Sequence, residues 1–539
     1  MDGRFGEGRD RERNWALARL VEQRLSRRRF LRGAATSAAA ALAARALTAG
    51  AAFTAFTPSA VGAAATRLRQ TGDTGEAAVA AAQQFRGTTL NVLYEAGLQP
   101  QDPINFSGPM WEELTGITVN VVEKPFTELY SSPIADHIAG TAANDVLNVA
   151  PSFMPDFVAQ GIVEPLQPFL DQYSTPADLD DFHPLYRGLM NYGGQIYGLF
   201  DDGDPHILYY RTDLFGDQAN QDAYRTATGK ELAPPATWAD YDAIQAFFTE
   251  RGGGTLYGGA SQRAAGQVYE WFLGEFRTNG GRFFDDATLD STLASEAGVA
   301  TLARMVASNA TMPPGVETFD FVAILTAWMA GELAMIGGTW PPIGRWSEGY
   351  GADTVQLEFV PASTVAGKVG YAVMPGGHSQ HAGGFLLSVS ADSQNKEAAY
   401  LFSQWMNSPS ISLQRCMLPY ALRDPFRLGH YASPEYRALW PTAGAYLDTL
   451  QAAADGALLD IIMPGSAEYS AAIDQAVTAA MSGVDPAQAL ADADAAADAI
   501  TDRIGRDQQK AAYAEFVALP GSYPETTGAG ATPASTPTA

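Results

Sequence analysis

Asp201-Asp202-Gly203-Asp204 sets three carboxylates within four residues, an oxygen-donor density that suits a hard cation such as calcium. A helix-loop-helix calcium loop needs a glycine where this chain has Ile207, and the apolar run 207–210 that follows at once reads as a strand. The chain has six histidines, and the closest pair, His378 and His381, sits in a Gly-rich turn with no third ligand nearby. They read as loop residues. Cys416 is the single cysteine, which rules out an intrachain disulfide and any multi-cysteine metal site. No Gly-x-Ser-x-Gly elbow, His-Glu-x-x-His, phosphate-binding loop or dinucleotide fingerprint is present. Neither a cofactor nor a metal is expected. A glycoside hydrolase stays open, because its two acids can come from anywhere in a chain.

The elements that would position such residues alternate in type. Residues 88–94 read as a strand, 109–116 as a short helix ended by glycine and 117–122 as an alternating strand. A helix over 126–139 and a third strand over 145–150 complete a βαβαβ pattern, which implies a parallel sheet with right-handed crossovers. Ligands collect at the carboxyl ends of such strands. Glu95-Ala96-Gly97 and Pro151-Ser152-Phe153 follow those ends here, which makes Glu95 and Ser152 candidates. Further on, Asn395 can cap a helix whose apolar positions Ala398, Leu401, Phe402 and Trp405 keep helical spacing. Asp485-Pro486 starts a helix in a last third dominated by helical patterns.

The first 32 residues hold ten arginines and five acids, and Ser26-Arg27-Arg28-Arg29-Phe30-Leu31 leads into a long Ala-rich run. That is the layout of a twin-arginine export signal over 1–65, with Ala63-Ala64-Ala65 as a cleavage point. A lipid anchor would need a cysteine directly after it, and Cys416 is far away. The expected location is periplasmic or extracellular, with an uncleaved segment as the one means of staying at a membrane. Residues 66–87 and 520–539 read as tether and disordered tail. After position 65 there remain 23 basic and 55 acidic residues, a net charge of −32 that repels nucleic acid and anionic headgroups.

Several segments together resemble the extracellular solute-binding proteins of the maltose-type ABC importers. They are Asn144 to Ser152 with Phe157 to Leu166; Asp202 to Phe215; Gly331 to Met335 with Gly337-Gly338-Thr339-Trp340; Gly383-Gly384-Phe385; and Ile462-Met463-Pro464 with 491–500. Their order and rough spacing agree over residues 88–505, although the lipid-anchor cysteine is missing and Phe385 stands where a tryptophan often follows the paired glycines.

The resemblance implies a two-lobed α/β periplasmic-binding-protein fold of type II, each lobe a mostly parallel sheet flanked by helices, with a ligand cleft between them. The first lobe would take 88–204 and about 375–408, the second 205–374 and about 409–519. The implied function is capture of a carbohydrate or polyol without catalysis, by a monomer that delivers it to the membrane subunits of an ABC permease. A sugar offers an apolar ring face and a rim of hydroxyls, so its site needs aromatic platforms with forked polar partners. Trp340, Phe385 and Trp271 would stack, and Glu95, Asp145, Asp202 and Asp204 would accept. Gly338 and Gly384 would allow backbone to approach the ligand, and Tyr469 is a further candidate. The plainer readings are a helix core for Trp271, a strand start or cap for Asp145, and hinge or surface positions for Asp202 and Asp204. A strongly acidic cleft would favour a cation such as a polyamine.

Overall fold

The computed structural model describes residues 74–174, 177–381 and 384–524. The arginine-rich segment, Ala63-Ala64-Ala65, Gly383 and the tail from 525 lie outside the described residues.

Strands β1 (Thr89–Glu95), β2 (Thr118–Lys124) and β3 (Val146–Val149) pair in parallel in the order β2-β1-β3, joined by helices Gly108–Thr115 and Phe126–Ala139. These are the five elements that the hydrophobic patterning predicts. Glycines stop both helices in the left-handed conformation, Gly116 at φ 74° and Gly140 at φ 63°. A small hairpin follows, β4 (Asn191–Tyr192) with β5 (Gln195–Ile196), and then β6 (Leu199–Asp202).

The chain then crosses into a second sheet. Its strands β7 (Ile207–Arg211), β8 (Met335–Thr339) and β9 (Val369–Ala372) run in the order β8-β7-β9. All three pair antiparallel, whereas the resemblance implies a mostly parallel sheet; Tyr257 and Ala260 add isolated parallel bridges to Leu333, just before β8, and to Ile336 within it. The side chains of β7 alternate. Ile207 and Tyr209 join the large core that runs through both halves of the molecule, while Leu208 packs with Phe215, Tyr241 and Met335 in a smaller core on the opposite face. After β10 (Gln380–His381) the chain returns to the first sheet as β11 (Phe385–Val389), antiparallel between β3 and β6; β10 itself pairs with β12 (Leu458–Leu459). The two halves are therefore joined by several chain crossings, an arrangement that permits hinged closure.

The tether expected over 66–87 is, from Thr74, a helix over Thr74–Ala82 that packs on helix Lys396–Asn407. Its alanines are small enough for close approach, and Ala78 and Ala82 are fully buried. The tail expected from 520 likewise begins as ordered chain. Ser522 O accepts from Arg277 Nη1 at 2.8 Å, and the Tyr523 hydroxyl meets that of Tyr513 at 2.7 Å. Aromatic and arginine partners hold a segment whose composition alone reads as disorder.

Candidate functional site

Residues of both halves converge on a small cavity between them. Phe126, Pro151, Ser152 and Leu189 line it from the first half, and Tyr269, Glu270, Asp460 and Ile462 from the second. Ser152 stands in the turn Pro151–Phe153 directly after β3, and Glu95 is the last residue of β1, so both occupy the strand ends that collect ligands. A second small cavity on the far side of Glu270 is lined by His206, Trp271, Met374 and Gln380.

Trp340 stands next to two rings of the second cavity, Trp271 and His206. The Trp340 ring is partly exposed and is held by three others: Trp271 at 5.7 Å and His206 at 5.2 Å meet it edge to face, as does Phe321 at 5.8 Å. Trp271 is buried, stacks on His206 at 4.7 Å and donates from Nε1 to Gly338 O at 3.0 Å. Its first task is therefore to hold Trp340 and strand β8 in place. Phe385, also buried, meets the edge of Phe126 at 6.5 Å and supports that cavity-lining ring from behind.

Gly338 and Gly384 both sit at positive φ, 89° and 67°. At Gly338 an added Cβ would lie 2.4 Å from Met374 Cε. Gly338→Ala is expected to lose about 1–3 kcal/mol in a denaturant titration, from backbone strain and this clash together.

The carboxylates divide into two groups. Asp145 lies at the amino end of β3, away from the ligand end of the sheet, and its oxygens are spoken for: Oδ2 accepts from Asn91 N at 2.9 Å, Oδ1 from Ser393 Oγ at 2.6 Å and from Asn395 Nδ2 at 3.2 Å. It is a clamp between strands and helix, not a ligand acceptor, and the Asn395 side chain serves it rather than capping its own helix. Asp202 accepts from Gln99 Nε2 at 2.8 Å and from Asp424 N at 2.7 Å, which makes it a latch where the chain crosses between the halves. Tyr469 is buried, with its hydroxyl 2.8 Å from Thr501 Oγ1 and 2.9 Å from Gln509 Nε2. It belongs to the helical core.

Glu95, Asp204 and Glu270 form the other group. Burial pushes Glu95, which is only partly open to solvent, up to about 7. Burial raises Asp204 as well, reinforced by Asp202, Asp424, Glu270 and Glu95; Glu270 is raised by burial and then by Asp460, Asp474 and Glu95. Glu270, Asp460, His206 and Phe126 were not among the residues singled out from the sequence. Glu270 is hidden there in the apolar run Tyr269-Glu270-Trp271-Phe272-Leu273, although an acid in such a run is itself a signal of a buried polar group with a purpose.

A family model described as "Bacterial extracellular solute-binding protein" matches residues 43–411. Among curated proteins, the probable amino-acid ABC transporter periplasmic-binding protein y4oP of Sinorhizobium fredii is 27% identical over 383 residues, covering 70% of this chain and 81% of that protein. Among solved structures, a solute-binding protein of Agrobacterium vitis S4 with bound D-mannitol aligns with TM-score 0.63 at 19% identity, over 78% of this chain and 99% of that one. One of Agrobacterium radiobacter K84 in complex with ribitol aligns with TM-score 0.62 at 21% identity, over 76% and 98%. Both are two-lobed, as expected here. A match over more than half of the chain, together with a cleft assembled from both of its halves, makes this protein a member of the bacterial extracellular solute-binding proteins.

Proposed function

We propose that the chain is the capturing component of an ABC importer and that its cargo is a carbohydrate or polyol. The observation that carries this reading is a cavity between the halves with Glu270 and Asp460 in its wall, next to a second cavity whose Trp271 and His206 rings hold the partly open indole of Trp340. An indole face suits the C–H face of a sugar, and carboxylates accept from its hydroxyls. D-mannitol and ribitol bound to two structural relatives support the same class. Capture works by lobe closure, without chemical change to the cargo, and delivery goes to the membrane subunits of a permease. The arginine-rich N-terminal segment serves export through the twin-arginine route, and the protein acts as a monomer. Among the described residues, no helix is long and apolar enough to cross a membrane.

A thermal-shift screen of sugars and polyols tests this. A ligand at 100 times its Kd stabilises the folded state by about 2.7 kcal/mol, enough to be seen in the melting temperature. Trp340→Ala is expected to abolish the shift while leaving a folded protein, since that ring is partly exposed. A screen in which sugars and polyols all fail and an amino acid or polyamine succeeds would overturn the cargo. Release of reducing ends from an oligosaccharide would overturn the non-catalytic reading.

A further inference from the structure

We infer that the cargo carries a protonated amine, so that the cleft is built for an amino sugar or amino polyol rather than for a neutral one; this rests on the carbohydrate reading above. The inference starts from a group of buried acids whose one basic neighbour is a histidine. Among the described residues, no lysine or arginine lies within ion-pair range of Glu95, Asp204 or Glu270. The nearest basic atom to Glu270 is His206 Nε2, 3.7 Å from Oε2 and beyond hydrogen-bond range. The arginines in the vicinity are committed elsewhere: Arg345 to Asp424, Arg423 to Asp201, and Arg277 to Leu459 O and Gln380 Oε1.

Independently of that charge count, Glu270 Oε2 is a ligand-seeking atom. Its residue is 3% exposed, Oε2 has no hydrogen-bond partner, and Glu270 lines both the cavity between the halves and the second cavity beside it. A buried carboxylate oxygen without a donor is a standing penalty that native structures remove with a partner. Asp460, next to it in the cavity wall, already accepts from Gln380 Nε2 and adds a further negative charge.

A neutral hydroxyl would satisfy one lone pair of Glu270 but bring no counter-charge that lets the neighbouring acids ionise. An ammonium group donates up to three hydrogen bonds and neutralises charge in the same act. Partner and counter-charge therefore arrive together, beside the Trp271 and His206 rings that line the second cavity with Glu270.

Matched pairs decide the matter: glucose with glucosamine, galactose with galactosamine, and mannitol with its 1-amino-1-deoxy derivative, each titrated by calorimetry at neutral pH. Putrescine serves as an amine without a sugar body. At least one amine-bearing member is expected to bind tenfold or more tighter than its neutral partner. In Glu270→Gln, which keeps the side-chain volume, that ratio is expected to fall to about one. Because the ratio is taken within a single protein sample, a smaller folded fraction of the variant does not alter it. Neutral members that bind as tightly as, or tighter than, their amines overturn this inference and leave the carbohydrate reading standing. Putrescine binding with no response to any sugar or polyol, or no binding at all, counts against both.

Discussion

Arg415→Met is expected to lower the unfolding free energy by about 3–5 kcal/mol, because it takes the nearest of two counter-charges from a buried pair of carboxylates. Arg415 Nε lies 2.6 Å from Asp102 Oδ2 and its Nη2 lies 2.7 Å from Asp201 Oδ1, with all three side chains at most 1% exposed. Arg423 reinforces the same pair, at 3.1 Å from Asp201 and 3.7 Å from Asp102, and the Tyr94 hydroxyl donates to Asp201 Oδ2 at 3.3 Å. The network binds the segment after β1 and strand β6 to helix Pro409–Met417, next to the Asp202–Asp424 latch. Weakening it should loosen the region through which the halves are connected as well as the global fold. A surface pair provides the control: Arg225, which faces Glu231 at 2.6 Å in solvent, is expected to change stability by under about 0.5 kcal/mol when replaced by Met. Denaturant titration of both variants checks the pair. Equal small losses would mean that the buried network is not where the stability resides.

Lowering the pH from about 8 to about 5.5 should raise the melting temperature of the protein without ligand, the reverse of what salt-bridged carboxylates produce. Glu95 rises from 4.5 to about 7 through burial, and Asp202, Asp204, Glu270, Asp424 and Asp460 are all raised, with burial the leading cause in each. A carboxyl whose pKa is raised on folding binds its proton more tightly in the folded state. Its stabilising contribution is full below the unfolded pKa and is lost as pH climbs through the folded one. The window therefore lies between about 4.5 and about 7 for Glu95, and that residue alone contributes about 2 kcal/mol across it, discounted for its partial exposure. His430 opposes the trend: burial lowers its pKa, so its contribution is present above the ordinary histidine range and falls as pH drops. One histidine against six carboxyls leaves the sign unchanged. Calorimetric scans at matched ionic strength check it, and a melting temperature that rises steadily from about pH 5.5 to about pH 8 would contradict it.

Much of the first sheet was legible before any coordinates. Strand and helix periods differ, and the apolar residues of 88–150 keep each period long enough to be told apart; the helices there also end in glycines that take positive φ. The pairing of the second sheet was not legible. Strands β7, β8 and β9 are separated by more than a hundred and by about thirty residues, and nothing in their composition records which neighbour they meet or in which direction.

The site divides along the same line. Glu95 and Ser152 stand at strand ends that the local period already marks, and Trp340 flanks a glycine pair, also a local feature. Asp145, Asp202 and Tyr469 carry the same residue types in equally plausible segments, yet tertiary partners more than thirty residues away use up their hydrogen-bonding capacity. Glu270 and Asp460 show the converse. Each looks like an ordinary acid next to apolar core, and only the meeting of the two halves turns both toward one cavity.

Residue order by itself determined the α/β class and the family, because these depend on local period and on residue type. Which carboxylates are satisfied and which are left facing the cleft was decided by tertiary structure alone. A carboxylate becomes available, or costly, according to donors and charges brought to it from distant parts of the chain, and burial sets how strongly they count.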